Sequence, residues 1–218
     1  MSSWIPVPFL VVTAVVTVWA GLQHRQHLVY LFKPLSTLLV IAVALLSLTT
    51  PNAQVGYTMG ITAGLVLSLG GDIALMFPSR RAFTLGLVLF LLAHVVYILA
   101  FTLPNGFHSA DWVTGAVLVA IAAACFLYLK PGLGSMKGPV LAYILVICLM
   151  VHRALSLFFG DAFTPTQAWL ASAGAVLFLI SDLILAINRF RHPFEKERLG
   201  LLAYYAGQLL IALTASYF

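Results

Sequence analysis

Long apolar stretches alternate with short polar connections along the whole chain, and this pattern predicts membrane-spanning helices. A helix needs roughly 17–25 mostly apolar residues to cross a bilayer. Eight segments meet or nearly meet this requirement: 4–22, 28–48, 54–77, 82–103, 112–129, 139–158, 167–187 and 199–217. The connections between them are too short to form a soluble domain. The sequence therefore predicts an all-α integral membrane bundle of eight helices, forming a single domain over residues 1–218.

Composition agrees with a membrane protein and excludes an ordinary soluble domain. The chain is 62% hydrophobic and 8% charged, and its mean hydropathy is +1.08. Soluble domains carry about 25% charged residues. The formal net charge of +5 comes from basic residues in the connections, so it indicates membrane topology and no nucleic-acid partner.

The basic residues also predict an orientation. Of the 11 lysine and arginine residues, all except Arg153 lie in or beside the first, third, fifth and seventh connections. Cytoplasmic connections are enriched in lysine and arginine. We therefore expect these connections in the cytoplasm and both termini outside, in a bacterial cytoplasmic membrane.

Two aspartates occupy matching places in two predicted helices. Asp72 and Asp182 each follow a glycine by eight residues, at Gly64 and Gly174. Further matches between the two halves of the chain are Gly86–His94 with Gly200–Gln208, and Lys33-Pro34 with Lys137-Gly138-Pro139. These matches predict two four-helix repeats, residues 1–104 and 105–218, related as parallel repeats.

The aspartates are the first candidates for chemistry. A charged side chain at the bilayer centre costs at least ~2.5 kcal/mol even on the mildest insertion scale, so such residues usually have a function. Asp72 ends a stripe of small residues spaced by four, which predicts that it faces the bundle interior. Other polar residues are predicted at a similar depth on the cytoplasmic side or near the midplane: Lys33, His94, Asn188, Tyr204, Tyr205 and Gln208. Together they predict a pocket open to the inner leaflet.

Each candidate also has a purely structural interpretation. The aspartates could be anchors paired with Lys33 or with flanking arginines, and Lys33 could instead extend to the lipid headgroups. The two tyrosines could belong to an interfacial aromatic belt. His94 and Gln208 could form hydrogen bonds between helices. The sequence contains no HExxH motif, no Cys/His cluster and no GxSxG motif, so we expect neither a metal site, a cofactor nor a serine nucleophile.

Short motifs in a specific order run through nearly the whole chain. They are Lys33-Pro34, Gly71-Asp72, Phe83, Gly86, Phe90, His94, Tyr97, Tyr143, Met150, Gly174-Ala175, Phe178, Ser181-Asp182 and Tyr204-Tyr205-x-x-Gln208. In these motifs the chain resembles the YhhN/TMEM86 family of multi-pass membrane proteins, whose characterised members are lysoplasmalogenases. The resemblance implies hydrolysis of the sn-1 vinyl ether bond of a lysophospholipid, which releases a fatty aldehyde and a glycerophospho-ethanolamine or -choline.

Two carboxyl groups suit that reaction. A vinyl ether is cleaved by protonation of its β-carbon, and water then adds to the resulting oxocarbenium ion. Two neighbouring buried carboxyls rarely ionise together, so a pair that shares a proton supplies both an acid and a base. We therefore expect Asp72 and Asp182 to be catalytic, between the third and seventh helices, and the other polar residues to orient the headgroup or water.

Two other classes of function remain open from the sequence. Membrane-embedded acids in parallel repeats are also typical of proton-coupled transporters. A non-catalytic lipid-binding or scaffold protein is a further alternative. Short connections with few polar residues favour a lipid substrate over a soluble solute.

Overall fold

The computed structural model describes residues 2–109, 111–194 and 198–218, and its regular structure in these ranges is helical throughout. Eight α-helices follow one another along the described chain. They are α1 (Val7–Leu22), α2 (Gln26–Leu46), α3 (Val55–Leu75), α4 (Arg80–Asn105), α5 (Asp111–Leu129), α6 (Lys137–Leu155), α7 (Pro165–Phe190) and α8 (Gly200–Thr214). The all-α prediction is confirmed.

Six of these helices, α2 to α7, are long and apolar enough to cross a membrane. The first and last helices are shorter, with 16 residues in α1 and 15 in α8. At about 1.5 Å per residue they reach about 24 Å and 22 Å, less than the roughly 30 Å hydrocarbon core. A short 3₁₀ turn at Ser2–Trp4 precedes α1, and another at Ala215–Tyr217 follows α8. The structure therefore supports an integral multi-pass protein with six candidate spans.

The first, third, fifth and seventh connections meet at one end of the bundle, which we call the basic end; Gly21, just before the first connection, packs against the Arg198 side chain of the seventh. Arg80 donates a hydrogen bond to the hydroxyl of Ser135, joining the third connection to the fifth. The Tyr128 hydroxyl lies 3.4 Å from Nε2 of His192, joining the end of α5 to the seventh connection. The predicted sharing of one side by these connections is thus present in the folded chain.

Arg153, the basic residue that departs from this distribution, lies at the opposite end and is buried. Its Nη1 lies 2.9 Å from Oδ2 of Asp111, and its Nε donates to the hydroxyl of Thr102 at 2.9 Å. A further guanidinium nitrogen donates to the backbone carbonyl of Gly106. Arg153 is therefore a paired structural residue rather than a free charge on that side.

Two helical hairpins, α3–α4 and α7–α8, are tightly packed through glycines. A Cβ atom on Gly64 would lie 2.3 Å from the Tyr97 ring, and one on Gly174 would lie 2.8 Å from the carbonyl oxygen of Gly207. Small residues let helix backbones approach closely where lipid provides no hydrophobic driving force. The two hairpins are linked through α2, which packs against α3 and α8, and through α6, which packs against α4 and α7. This packing brings α3 and α7, which carry the aspartates, around a common interior.

Candidate active site

Asp72 is held by side chains from two other helices. It is 1% exposed on α3, and Nζ of Lys33 lies 3.3 Å from its Oδ1. The same amine donates to the backbone carbonyl of Asp72 at 3.2 Å. Its Oδ2 accepts hydrogen bonds from the hydroxyls of Thr37 at 2.6 Å and Tyr204 at 2.7 Å. A buried carboxylate with a cation and two hydroxyl donors is well compensated for its loss of water.

Residues of α8 and α4 support this network from behind. Gln208 donates to the Tyr204 hydroxyl at 3.4 Å and accepts a hydrogen bond from the Tyr97 hydroxyl at 2.9 Å. The Tyr205 hydroxyl donates to the backbone carbonyl of Lys33 at 3.3 Å. All these side chains are buried. These three hydrogen bonds hold Tyr204 and the backbone of Lys33 in place beside Asp72.

Asp182 has a different environment. It is partly buried on α7, and the hydroxyl of Tyr143 on α6 donates a hydrogen bond to its Oδ2. Among the described residues, no hydrogen bond joins Asp72 to Asp182. The two carboxyl groups instead line the same cavity. The structure therefore brings the two acids to one site without direct contact between them.

This polar cavity has a volume of about 250 Å³ and lies at the basic end. Both aspartates and Lys33 line it. Its other polar lining residues are Ser79, Ser181, Asn188, Arg189, Arg198 and Tyr204. The Asn188 side chain also accepts a hydrogen bond from the backbone amide of Phe194, which fixes the start of the seventh connection. The cavity thus presents several hydrogen-bond donors and cationic groups beside two acids.

An apolar groove adjoins the polar cavity. Residues from α3 to α7 line it: Leu75, Phe83, Leu87, Phe90, Cys125, Leu129, Val140, Tyr143, Ile144, Ile147, Leu179, Asp182, Leu183, Leu185, Ala186 and Phe190. Asp182 lines both spaces, and so do Phe83 and Phe90. A polar cavity beside an apolar groove has the polarity needed to bind an amphiphile.

His94 lies away from both spaces. It is fully buried, and its ring packs against those of Tyr143 and Phe178 at centroid distances of 5.4 Å and 4.7 Å. Neither ring nitrogen has a hydrogen-bond partner among the described residues. The described part of the chain contains no group of three or more His, Cys, Asp or Glu side chains that could hold a metal ion.

The structure arranges the sequence-predicted residues in three groups. Five of them line the polar cavity: Lys33, Asp72, Asp182, Asn188 and Tyr204. Tyr205 and Gln208 support that set from behind, and His94 packs against the partner of Asp182.

Several residues outside the sequence-predicted set also contact the acids or line the cavity, among them Thr37, Tyr143 and Arg198. Thr37 follows Lys33 by four residues, so the helical period places it on the same face and could have identified it. Tyr143 belongs to the family motifs, but no spacing connects it to Asp182, 39 residues away on another helix. In the sequence, Arg198 belongs to a basic run that indicates only membrane topology, but in the structure it lines the cavity.

Comparison with known proteins agrees with the motif resemblance. The sequence profile of the YhhN family matches residues 28–215. "Lysoplasmalogenase TMEM86A" of Bos taurus is 34% identical, with 77% of this chain and 68% of that protein aligned. "Lysoplasmalogenase TMEM86B" of Homo sapiens is 35% identical over 73% of this chain and 65% of that protein.

A bacterial relative matches over a greater length. The "Lysoplasmalogenase" of Mycobacterium bovis is 33% identical, and the alignment covers 98% of this chain and 88% of that protein. The chain spans about two thirds of the length of the mammalian relatives it matches. No solved structure gives a significant match. The family profile and these relatives together show that the chain belongs to the YhhN family.

Proposed function

We propose that this protein is a membrane hydrolase that cleaves the vinyl ether bond of lysoplasmalogens. The names of its relatives support the proposal, including the mycobacterial one that aligns with nearly the whole chain. The single observation that carries it is the position of Asp182 between a polar cavity and an apolar groove. In a lysoplasmalogen, the vinyl ether lies at the same kind of boundary, between a phosphate-bearing glycerol and one hydrocarbon chain.

The residues around the cavity provide the chemistry for this reaction. A carboxyl group protonates the β-carbon of the vinyl ether, and the resulting oxocarbenium ion is stabilised by the negative charge of a second carboxylate. Water adds to the cation, and the hemiacetal then collapses to a fatty aldehyde and a glycerol hydroxyl. In this proposal Asp72 and Asp182 are the catalytic pair.

The remaining sequence-predicted residues bind or position the substrate. Lys33, Asn188 and Tyr204 line the polar cavity, where they would meet the phosphate and glycerol of a lysophospholipid. Tyr205 and Gln208 hold Lys33 and Tyr204 in place. His94 acts at a greater distance, through its packing against Tyr143.

We further infer that all eight helices cross the membrane, as two parallel repeats of four with both termini outside a bacterial cytoplasmic membrane. Two features support this. The second helix of each half packs against the fourth helix of the other, α2 with α8 and α6 with α4. The basic residues gather at one end, apart from the paired Arg153. Reporters fused after Phe218 test the topology, and a cytoplasmic reporter signal contradicts it.

The decisive test of the activity uses purified protein in detergent with a lysoplasmalogen as the only lipid substrate. We expect release of free fatty aldehyde without any membrane gradient, measured by mass spectrometry. An Asp161→Asn variant is a matched control, since Asp161 is an exposed aspartate at the opposite end of the bundle. A proton-coupled transporter or a scaffold protein would release no aldehyde.

A further inference from the structure

We propose that the two aspartates have different roles: Asp182 donates the proton to the vinyl ether, Tyr143 positions its carboxyl group, and Asp72 is the fixed counter-ion. This inference rests on the proposed function and concerns the division of labour within that site. It departs from a symmetric pair in which either acid could donate. Three features of the structure carry it.

The first feature is the saturation of Asp72. Its Oδ1 pairs with the Lys33 ammonium, and its Oδ2 accepts from both Thr37 and Tyr204. A proton on this carboxyl group would break the ion pair and leave the buried Lys33 charge without its partner. Asp72 therefore suits a constant negative charge, which holds Lys33 and faces the cation formed during the reaction.

The second feature is the availability of Asp182. Tyr143 is the one described side chain that forms a hydrogen bond with it, at Oδ2. No described residue forms a hydrogen bond with its Oδ1. Asp182 is also the acid that lines the apolar groove as well as the polar cavity. It therefore lies where the hydrocarbon chain meets the glycerol, which is where the β-carbon must be protonated.

The third feature is a difference between the matched halves of the chain. Tyr204 follows Gly200 by four residues, and Phe90 follows Gly86 by four, so the two residues occupy equivalent positions. The Tyr204 hydroxyl bonds Asp72, whereas Phe90 has no hydroxyl group and lines the groove beside Asp182. Tyr204 of the second half thus gives Asp72 a hydrogen-bond donor, whereas Phe90, at the equivalent position in the first half, gives Asp182 none.

Tyr143 qualifies as a positioning residue because its own ring is fixed. The ring packs edge-on against His94, which packs in turn against Phe178. The hydroxyl occupies Oδ2 of Asp182, so in this proposal Oδ1 is the oxygen that donates to the substrate. This gives buried His94 a role in maintaining the orientation of Tyr143, without contact with the substrate.

The proton and the bonding electrons balance in this assignment. The O–H bond of Asp182 breaks as a C–H bond forms at the β-carbon, and the carbon–carbon π electrons make that bond. Water then adds to the neighbouring carbon, and its proton returns to the Asp182 carboxylate. The hemiacetal collapses as its carbon–oxygen bond to glycerol breaks, and the hydroxyl proton ends on the glycerol oxygen.

The pH dependence of kcat distinguishes the two acids. In Asp182→Asn the internal donor is lost, so kcat should fall by on the order of 10²-fold near neutral pH. The residual reaction should then depend on hydronium ions and accelerate about tenfold for each unit fall in pH, as first-order acid catalysis requires. In Asp72→Asn the donor remains, so the profile should keep the wild-type shape at a lower rate. The double variant Lys33→Met/Asp72→Asn lacks the same carboxylate without leaving an unpaired lysine, and it should give the same shape.

Opposite profiles overturn the assignment. These are hydronium dependence in the Asp72 variants or the wild-type shape in Asp182→Asn. A wild-type protein that releases no aldehyde contradicts the proposed function itself, so the two failures are distinguishable.

Tyr143→Phe tests the positioning role, since it removes the hydroxyl and keeps the ring that packs against His94. We expect kcat to fall about tenfold while KM changes little, because the lipid is still bound but the donor is less well oriented. Tyr217→Phe, at the opposite end of the bundle, is the matched control. A Tyr143→Phe enzyme with the wild-type kcat overturns the role of Tyr143.

Discussion

The buried pair of Lys33 and Asp72 makes a quantitative prediction about stability. In Lys33→Met, a side chain of similar length replaces the cation that lies 3.3 Å from Oδ1 of Asp72. Asp72 is 1% exposed, so water offers its charge little compensation. Removing one partner of a buried ion pair costs about 3–5 kcal/mol, because the other charge is left uncompensated. For a chain of this size, a loss of 3 kcal/mol corresponds to a Tm lower by about 6–12 °C.

The double variant Lys33→Met/Asp72→Asn separates this electrostatic cost from lost packing. Neither an unpaired cation nor an unpaired anion remains, and asparagine can still accept hydrogen bonds from Thr37 and Tyr204. We therefore expect it to be more stable than either single variant, by about 2 kcal/mol or more. The free energy of unfolding can be measured by denaturant titration in detergent micelles. Lys130→Met is the control, because Lys130 is exposed and its loss should cost no more than about 0.5 kcal/mol. If the loss of unfolding free energy in the double variant equals the sum of the losses in the two single variants, Lys33 and Asp72 are not coupled as an ion pair.

Three further predictions concern packing, substrate and groove. Gly64→Ala should destabilise the protein by about 1–3 kcal/mol, because its Cβ would lie 2.3 Å from the Tyr97 ring. Gly56→Ala is the control, since a Cβ there would have no atom within 4 Å. Equal Tm values for the two variants would contradict the close contact between α3 and α4. An alkyl-ether lysolipid should inhibit without being cleaved, and an ester lysolipid should be cleaved poorly or not at all, since the ester needs a nucleophile; equal cleavage of the ester, measured by product mass spectrometry, would exclude the carboxyl mechanism. Lysolipid should protect Cys125, which lines the groove, from a lipid-soluble thiol reagent in a Cys148→Ala background, and unchanged labelling would mean that the chain lies elsewhere.

Helical spacing alone predicted the orientation of Asp72. Gly64, Ser68 and Asp72 are four residues apart, and the structure buries all three on α3. Sequence also left two interpretations of Lys33 open, a headgroup contact or a partner of an aspartate. In the structure Lys33 is 7% exposed and pairs with Asp72, and its expected role in substrate binding stays a prediction. The outcome depended on packing between α2 and α3, which no local pattern determines.

The sequence pattern could not predict which side chains surround Asp182, and the reason is physical. Helices in lipid are apolar on every side, so hydrophobic periodicity does not fix which face of α6 meets α7. The hydrogen bond from Tyr143 to Asp182 depends on that rotation. The lengths of α1 and α8 were also poorly determined, because apolar residues continue beyond the points where the α-helices begin and end.

The meeting of the polar cavity and the apolar groove at Asp182 has a consequence for product release. The substrate is an amphiphile that needs both spaces, but neither product does. Cleavage at their boundary leaves an aldehyde with the polarity of the lipid interior and a glycerophospho-compound with the polarity of water. The first can partition into the bilayer along the apolar groove, and the second can diffuse away from the basic end. Each product therefore dissolves in a different phase, so the two rarely meet again, and partitioning itself helps drive the hydrolysis forward.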